Sequence, residues 1–237
     1  MYICTSPTVL SRVRAEIAAA IESGALPDPA SISTNTPTHD LPQMPSYASI
    51  TTPDTLPYLS ACITEAMRLR PVTGMMLMRT VPHPGAVIEG LSLPAGTVVG
   101  VSAFALNHNP LIFGEDVEEF RPERWLESES GEDDKLDEDD EDGEDLKFGQ
   151  DRNKKRHTKA AQRDWQRNNL NFGGPSRTCP GQSLARMVYM KAVVGLLGHV
   201  RFDIEGEGWK ERAAEGFVAR MKAVRVGVSV EPVVVVG

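Results

Sequence analysis

The sequence predicts a mainly α-helical protein with small β-sheets, and three observations lead to this fold class. Apolar residues recur at helical spacing in several stretches, most clearly within 56–71. Short apolar runs at 75–78, 86–88 and 98–101 are typical of short strands, and the proline and glycine within 93–97 predict a turn before the last of them. The three cysteines are few and far apart in the sequence, which argues against a disulfide scaffold and favours a reducing compartment.

The charge of the chain is unevenly distributed. With 237 residues and 41% hydrophobic content, the chain is long enough to bury a core, and its net charge is −8. The negative charge is concentrated in 127–145, and a basic block at 152–167 follows it. Because neither stretch has an apolar period, we expect a disordered insertion at 127–167 between folded regions at 1–126 and 168–237.

This insertion has two interpretations. The favoured one is a solvated loop whose acidic and basic halves partly neutralise each other. The weaker one is a nuclear-localisation or nucleic-acid patch at 152–159. Since the acidic run would compete with phosphate for the same cations, we expect no nucleic-acid partner.

No segment of the sequence has the length of a membrane-spanning helix. The longest apolar runs, such as 192–197 and 233–236, are far too short to cross a bilayer, and the first residues lack a basic leader. Membrane attachment is therefore expected only through an N-terminal anchor that this sequence does not contain.

The clearest predicted helix lies within 56–71. Its apolar positions recur at helical spacing, namely Leu59, Ile63, Ala66 and Met67. Pro57 falls in the first turn, Asp54 or Thr55 could cap the start, and Pro71 ends the helix. Cys62 lies on the apolar face and is predicted to be buried.

Two short charged motifs have ordinary explanations when each is taken alone. Glu65 and Arg68 are three residues apart on one helix face, so an isolated pair would be a surface ion pair worth a few tenths of a kcal/mol. The second motif, Phe-Arg-Pro-Glu-Arg-Trp at 120–125, would be a polar loop with two aromatic anchors.

The most informative residue is Cys179, which follows a glycine-rich bend and precedes an amphipathic run at 182–200. A helix that starts just after a cysteine favours the thiolate, because the helix N-terminus offers N–H groups and a positive dipole end. Gly181 lets the backbone pass close to a flat macrocycle, and Arg177 is placed to meet a propionate. The pattern therefore favours an axial thiolate ligand on haem iron over a buried structural cysteine.

The segment resembles the haem-binding loop of the cytochrome P450 family, in particular its fungal and other eukaryotic members. Phe172, Arg177, Cys179 and Gly181 match the pattern Phe-x-x-Gly-x-Arg-x-Cys-x-Gly. Pro175 stands where the family has glycine, and proline cannot take positive φ. Either the glycines at 173–174 supply the bend one residue earlier, or the loop is distorted.

The resemblance gives the two charged motifs a shared role. It implies that the helix with Glu65 and Arg68 is the family's K helix, and that both join Arg124 in a structural Glu-Arg-Arg network. Removing one member of such a buried network would cost roughly 3–5 kcal/mol. Arg79 is placed either as a second propionate-binding residue or as a solvated arginine at a strand end.

The resemblance also implies an architecture, the C-terminal half of the cytochrome P450 fold. The J helix is expected at 11–23 and the L helix at 182–200, with the haem-binding loop and small β regions around them. Residues 216–218 in the last β region are candidates for substrate contact. The family's central I helix, which delivers protons to iron-bound oxygen, would lie before Met1. We therefore expect a truncated copy that is inactive by itself and has under-covered apolar positions on the L helix, namely Leu184, Val188, Val194 and Leu197.

The implied function is that of a haem-thiolate monooxygenase that inserts one atom of O2 into an organic substrate. The implied cofactor is haem b, and the implied partners are a small organic substrate and NADPH–cytochrome P450 reductase or another electron donor. A full-length relative would lie on the cytosolic face of the endoplasmic reticulum membrane, and this chain without an anchor in the cytoplasm. The alternatives are a non-enzymatic fragment and an interaction protein that uses the charged insertion.

Overall fold

A computed structural model describes residues 2–27, 46, 55–126, 169–174, 177–204, 213–214, 220–221 and 226–230. The charged insertion at 127–167, Pro175 and the candidate substrate-contacting stretch 216–218 lie outside the described residues.

Helices form the main core of the described residues. These helices are α1 (Tyr2–Thr5), α2 (Pro7–Glu22), α3 (Pro57–Leu69) and α6 (Gln182–His199). Val13 and Ile17 of α2 pack with Leu59 of α3 and Met190 of α6, and all four side chains are buried. The predicted J, K and L helices thus meet around one apolar core, to which Cys62 contributes its fully buried side chain.

The start of α3 differs from the sequence prediction. Leu56 occupies the N-cap position and makes no side-chain cap hydrogen bond, so the cap position falls one residue after Thr55, and Asp54 lies outside the described residues. Instead, the Glu16 carboxylate of α2 accepts the backbone N–H groups of Tyr58 at 2.7 Å and Leu59 at 2.8 Å. These amides are among those that a helix start leaves without an intrahelical partner.

Two small antiparallel sheets follow α3. Strand β1 (Leu77–Thr80) pairs with β4 (Val98–Val101), and β2 (Gly85–Ile88) pairs with β3 (Leu91–Pro94). The prediction of strand 98–101 is confirmed. The strand expected at 75–78 begins two residues later, because its register opposite β4 joins Leu77 to Val101. The turn expected at 93–97 begins later too, since Leu91–Pro94 is a strand.

Short helices follow β4 up to the end of the Pro-Glu-Arg motif. They are α4 (Ala103–Asn107), α5 (Pro110–Phe113) and a 3₁₀ helix at Pro122–Trp125. Ser102 caps α4 and Asn109 caps α5 through side-chain oxygens that accept backbone N–H groups. Phe113 and Val117 form a second, small apolar cluster here, against which Trp125 packs.

After the insertion, a 3₁₀ helix at Leu170–Phe172 leads towards α6. Strand β5 (Val200–Ile204) pairs with β8 (Val226–Val230), and β6 (Ala213–Ala214) pairs with β7 (Arg220–Met221). The predicted fold class, mainly α with small β-sheets, is confirmed. Within the described ranges, no helix combines the length and apolar character needed to cross a membrane.

Candidate functional site

A buried carboxylate, that of Glu65, lies at the centre of the charged residues predicted from the sequence. Arg68 donates to it through Nε at 2.9 Å and Nη2 at 2.9 Å, a bidentate pair within one helix. Arg124 donates its Nε–H to Glu65 Oε1 at 3.2 Å. The structure therefore brings Glu65, Arg68 and Arg124 together, and their side chains have no exposed area.

The remaining N–H groups of the two arginines donate to backbone carbonyls. Arg68 Nη1 donates to Asn107 O at 2.8 Å and to Val117 O at 2.7 Å, and its Nη2 donates to Glu119 O at 3.2 Å. All five donors of this guanidinium are thus used. Arg124 Nη1 similarly donates to Phe113 O at 2.6 Å. The two side chains tie the segment 107–119 to α3.

Two further donors to Glu65 were not predicted from the sequence. The Trp125 indole Nε1–H donates to Glu65 Oε2 at 2.8 Å, and the backbone N–H of Arg121 donates to Oε1 at 3.2 Å. The position of Trp125 next to Arg124 in the motif was the only signal in the sequence that could have suggested the first contact. Together these donors surround a single carboxylate, so none of its charge is left unsatisfied.

The pKa shifts agree with an ionised network. Burial by itself raises the pKa of Glu65, but the hydrogen bonds and charge of Arg68 and the charge of Arg124 outweigh burial, and the pKa lies below its ordinary value. Burial lowers the pKa of Arg124, which the Glu65 carboxylate opposes. Since a guanidinium keeps its proton in proteins, both groups are charged at neutral pH.

The loop around Cys179 is held by short backbone hydrogen bonds. The Cys179 N–H donates to Phe172 O at 2.7 Å, and the Arg177 N–H donates to Gly174 O at 2.9 Å. Gly173 has a φ of +83°, and a Cβ built there would lie 2.5 Å from Arg177 O. Gly173 therefore supplies the left-handed bend two residues before the Pro175 position.

The surroundings of Cys179 fit a haem group. Its side chain is exposed, three residues before the first residue of α6. A Cβ at Gly181 would meet only Cys179 Sγ, at an ordinary 3.7 Å, so the packing of the chain itself leaves room there. Leu184 and Val188, one turn apart on α6, are 61% and 57% exposed, so the start of the helix after Cys179 carries uncovered apolar side chains. A haem would need only one thiolate from the protein, because its porphyrin supplies the other donors to the iron.

No cluster of three or more His, Cys, Asp or Glu residues suited to a metal ion occurs among the residues that the structure describes.

The arginines assigned to the propionates are not brought into contact with Cys179 by any described interaction. Arg177 is exposed in the loop, and Arg79 is exposed on β1, where its Nη1 donates to the carbonyl of Met78 at 2.8 Å. Their predicted roles therefore stay predictions.

Comparison with known proteins places this geometry in a family. The family model "Cytochrome P450" matches residues 1–226. A pisatin demethylase from Fusarium vanettenii is 31% identical over 204 residues, which are 86% of this chain and 29% of that protein. The cytochrome P450 monooxygenase cicH from Emericella nidulans is 30% identical over 203 residues, which are 86% of this chain and 31% of that protein.

Solved structures agree in fold. A crystal structure of a cytochrome P450 superposes with a TM-score of 0.63 at 20% identity, covering 97% of this chain and 40% of the other. A zebra fish cytochrome P450 determined with progesterone gives a TM-score of 0.60 at 23% identity, with the same coverage. The chain belongs to the cytochrome P450 family. It spans about 30% of the length of these two fungal relatives.

Proposed function

We propose that this chain forms the proximal side of a haem-thiolate monooxygenase site, with Cys179 as the axial ligand of haem b. The observation that carries the proposal is an exposed cysteine whose backbone N–H is held by Phe172 O at 2.7 Å, just before a long helix. Family membership and the fungal monooxygenase relatives support the reaction class.

When bound, a haem with a thiolate ligand would supply the activation of O2 and favour cleavage of the O–O bond. The residues of the chain would bind and orient it. Cys179 would provide the thiolate, Gly181 would leave room beside that thiolate, and the Phe172 carbonyl accepts the backbone N–H of Cys179. Arg177 and Arg79 are assigned to the propionates by charge-assisted hydrogen bonds.

The proposed role of Glu65, Arg68 and Arg124 is structural. Their side chains are fully buried and satisfied by each other and by backbone carbonyls, so they have no free group to offer to a substrate. Their function is to hold α3, the segment 107–119 and the Pro-Glu-Arg motif in one arrangement behind the haem loop.

The electron donor, the substrate and the cellular location are also proposals. The electron donor would be NADPH–cytochrome P450 reductase or another donor, and the substrate would be a small organic molecule. A full-length protein of this kind would lie on the cytosolic face of the endoplasmic reticulum membrane. Because the chain spans about 30% of the length of two fungal monooxygenase relatives, we propose that turnover requires residues equivalent to their remaining parts.

The test is the visible spectrum of the reduced, CO-bound protein. It is recorded for the chain alone and for the chain fused to the N-terminal part of a fungal relative. Cys179→Ala should abolish the thiolate-type Soret band, whereas Cys4→Ala, a control at a partly buried cysteine remote from the loop in sequence, should retain it. A normal band from Cys179→Ala would refute the assignment.

The two alternatives predict other results. A non-enzymatic fragment would give no thiolate-type band, whether alone or fused to the N-terminal part of a relative. An interaction protein would lose its partner in a pull-down when residues 127–159 are deleted, and its spectrum would stay unchanged.

A further inference from the structure

The side chain of Asn107 connects the buried charge network to the loop that carries Cys179. We infer that Asn107 is a positioning residue for this cysteine and acts through Asn171. The inference rests on the proposed function in one respect, the role of Cys179 as the haem ligand. Its structural part, that Asn107 fixes the backbone around this cysteine, stands independently of haem.

The first step of the connection joins Asn107 to Arg68 twice. The Arg68 Nη1–H donates to the backbone carbonyl of Asn107 at 2.8 Å, and the Asn107 Nδ2–H donates to the backbone carbonyl of Arg68 at 3.1 Å. Asn107 has no exposed area and ends helix α4. This reciprocal pair fixes the amide side chain against α3, because water cannot compete for either bond.

The second step joins Asn107 to the segment before the haem loop. Its Nδ2 also donates to Asn171 Oδ1 at 3.4 Å, the longest bond of the path. Two complementary atoms remain beside this bond, since Asn107 Oδ1 and Asn171 Nδ2 are buried and have no hydrogen-bond partner within the described part of the chain. Because these two atoms are already unpaired, the 3.4 Å bond is the link between the two amides, and losing it would deprive Asn171 Oδ1 of this donor as well.

The third step runs from Asn171 to the cysteine. The Asn171 backbone N–H donates to Asn169 Oδ1 at 3.2 Å, and this bond caps the start of the 3₁₀ helix at Leu170–Phe172. The next residue, Phe172, accepts the N–H of Cys179 at 2.7 Å. A displacement of this short helix therefore moves the carbonyl that holds the backbone of Cys179.

A remote asparagine suits this task better than an apolar residue would. An apolar contact between α4 and the 3₁₀ helix would resist separation but permit sliding, whereas amide hydrogen bonds define direction as well as distance. A side chain that serves as a ligand must be held to within about 0.5 Å of its working geometry, so a directional contact is the more useful one.

The experiment measures backbone amide hydrogen exchange of the whole chain without haem. Asn171→Leu removes the link and keeps the side-chain volume. It should raise the exchange rate of the Cys179 amide by about fivefold, the population change expected for the loss of one typical hydrogen bond. Asn171→Asp keeps the acceptor for Asn107 Nδ2 and should restore a slow rate.

Two further variants complete the design. Asn107→Leu combined with Asn171→Leu should raise the exchange rate no more than Asn107→Leu alone, because both changes break the same link. Asn109→Ala removes an asparagine two residues away that caps α5 and should leave the Cys179 amide unchanged. Unaltered exchange at Cys179 in a folded Asn171→Leu protein, or failure of Asn171→Asp to restore it, would overturn the inference.

A spectrum with added haem separates this inference from the proposed function. If Cys179 is the ligand, Asn171→Leu should broaden or shift the thiolate-type band, and Asn171→Asp should restore it. A band that persists in Cys179→Ala refutes the ligand assignment and leaves the exchange result intact. Unchanged exchange in Asn171→Leu refutes the positioning role and leaves the ligand assignment intact.

Discussion

At the scale of single residues, the contrast between two ion pairs shows which charges matter for stability. Arg68 and Glu65 are both fully buried, and Arg68 uses all five of its N–H donors. Arg12 and Glu123 form a pair at 3.0 Å whose side chains are 53% and 45% exposed. Water screens the exposed pair of Arg12 and Glu123. No water can replace a partner lost from the buried pair of Arg68 and Glu65.

We therefore expect Arg68→Lys to destabilise the chain by roughly 3–5 kcal/mol, because an ammonium cannot reproduce the bidentate contact and the carbonyl contacts together. Arg12→Lys is the matched control and should cost under about 1 kcal/mol. Urea unfolding followed by circular dichroism measures both. Similar losses in the two variants would mean that Arg68 contributes no more than a surface charge.

The sequence predicts the members of the network better than their environment. Glu65, Arg68 and Arg124 could be named from their motifs and the resemblance, and the structure brings them into contact. Asn107 could not be named, because its burial depends on the approach of a segment 64 residues away. Nothing in the local pattern around an asparagine distinguishes a buried connector from a helix cap.

At the scale of elements, helix α3 depends on a neighbouring helix for its start. Glu16 projects from α2 and accepts the N–H groups of Tyr58 and Leu59, which are 42 and 43 residues away. This contact replaces a local N-cap and at the same time joins α2 to α3. The absence of Ser, Thr, Asp or Asn at position 56 was the only sequence signal that the cap lay elsewhere.

Glu16→Ala should destabilise the chain by about 0.5–2 kcal/mol, the usual range for the loss of a helix cap. Faster hydrogen exchange of the Tyr58 and Leu59 amides should accompany this loss. Glu22→Ala changes an exposed carboxylate at the end of the same helix and serves as the control. If exchange at Tyr58 stays slow in Glu16→Ala, then Glu16 does not cap α3.

Element boundaries were predictable where local chemistry sets them and not where pairing does. Pro57 and Pro71 bracket the observed α3, and the strand at 98–101 has the predicted bounds. Strand β1 was misplaced because its ends are fixed by the register with β4, which is a long-range property.

At the scale of the whole molecule, the exposed apolar surface was predicted in part. Leu184 and Val188 of α6 are exposed, as the sequence led us to expect. The prediction was wrong for Val194 and Leu197, which are buried in the core shared with α2 and α3. Leu184 and Val188 of α6 thus present apolar side chains to solvent, whereas Met190, Val194 and Leu197 pack inside, and Leu196 is 47% exposed.

Carboxyl groups with lowered and with raised pKa values contribute to the pH dependence of stability with opposite signs. The charges of Arg124 and Arg121 outweigh the effect of burial and lower the pKa of Asp116, and the pKa of Glu65 is also lowered. For both, the unfolded chain binds more protons between the folded-state pKa and about 4, so the free energy of unfolding falls as the pH falls through that window. Burial raises the pKa of Glu16, and its contribution has the opposite sign.

Asp116→Asn isolates one of these contributions. The Asp116 carboxylate lies 2.6 Å from Arg121 Nη1 and 3.3 Å from Arg124 Nη2, and the amide loses both ion pairs. The variant should be less stable than the parent at about pH 7. This difference should shrink as the pH falls through the lowered pKa of Asp116, because the parent then carries a neutral carboxyl as well. Urea unfolding at a series of pH values measures the difference, with Glu118→Gln as a control for the loss of one exposed negative charge. A difference that stays constant down to about pH 2 would show that Asp116 stabilises the fold through its shape and not through its charge.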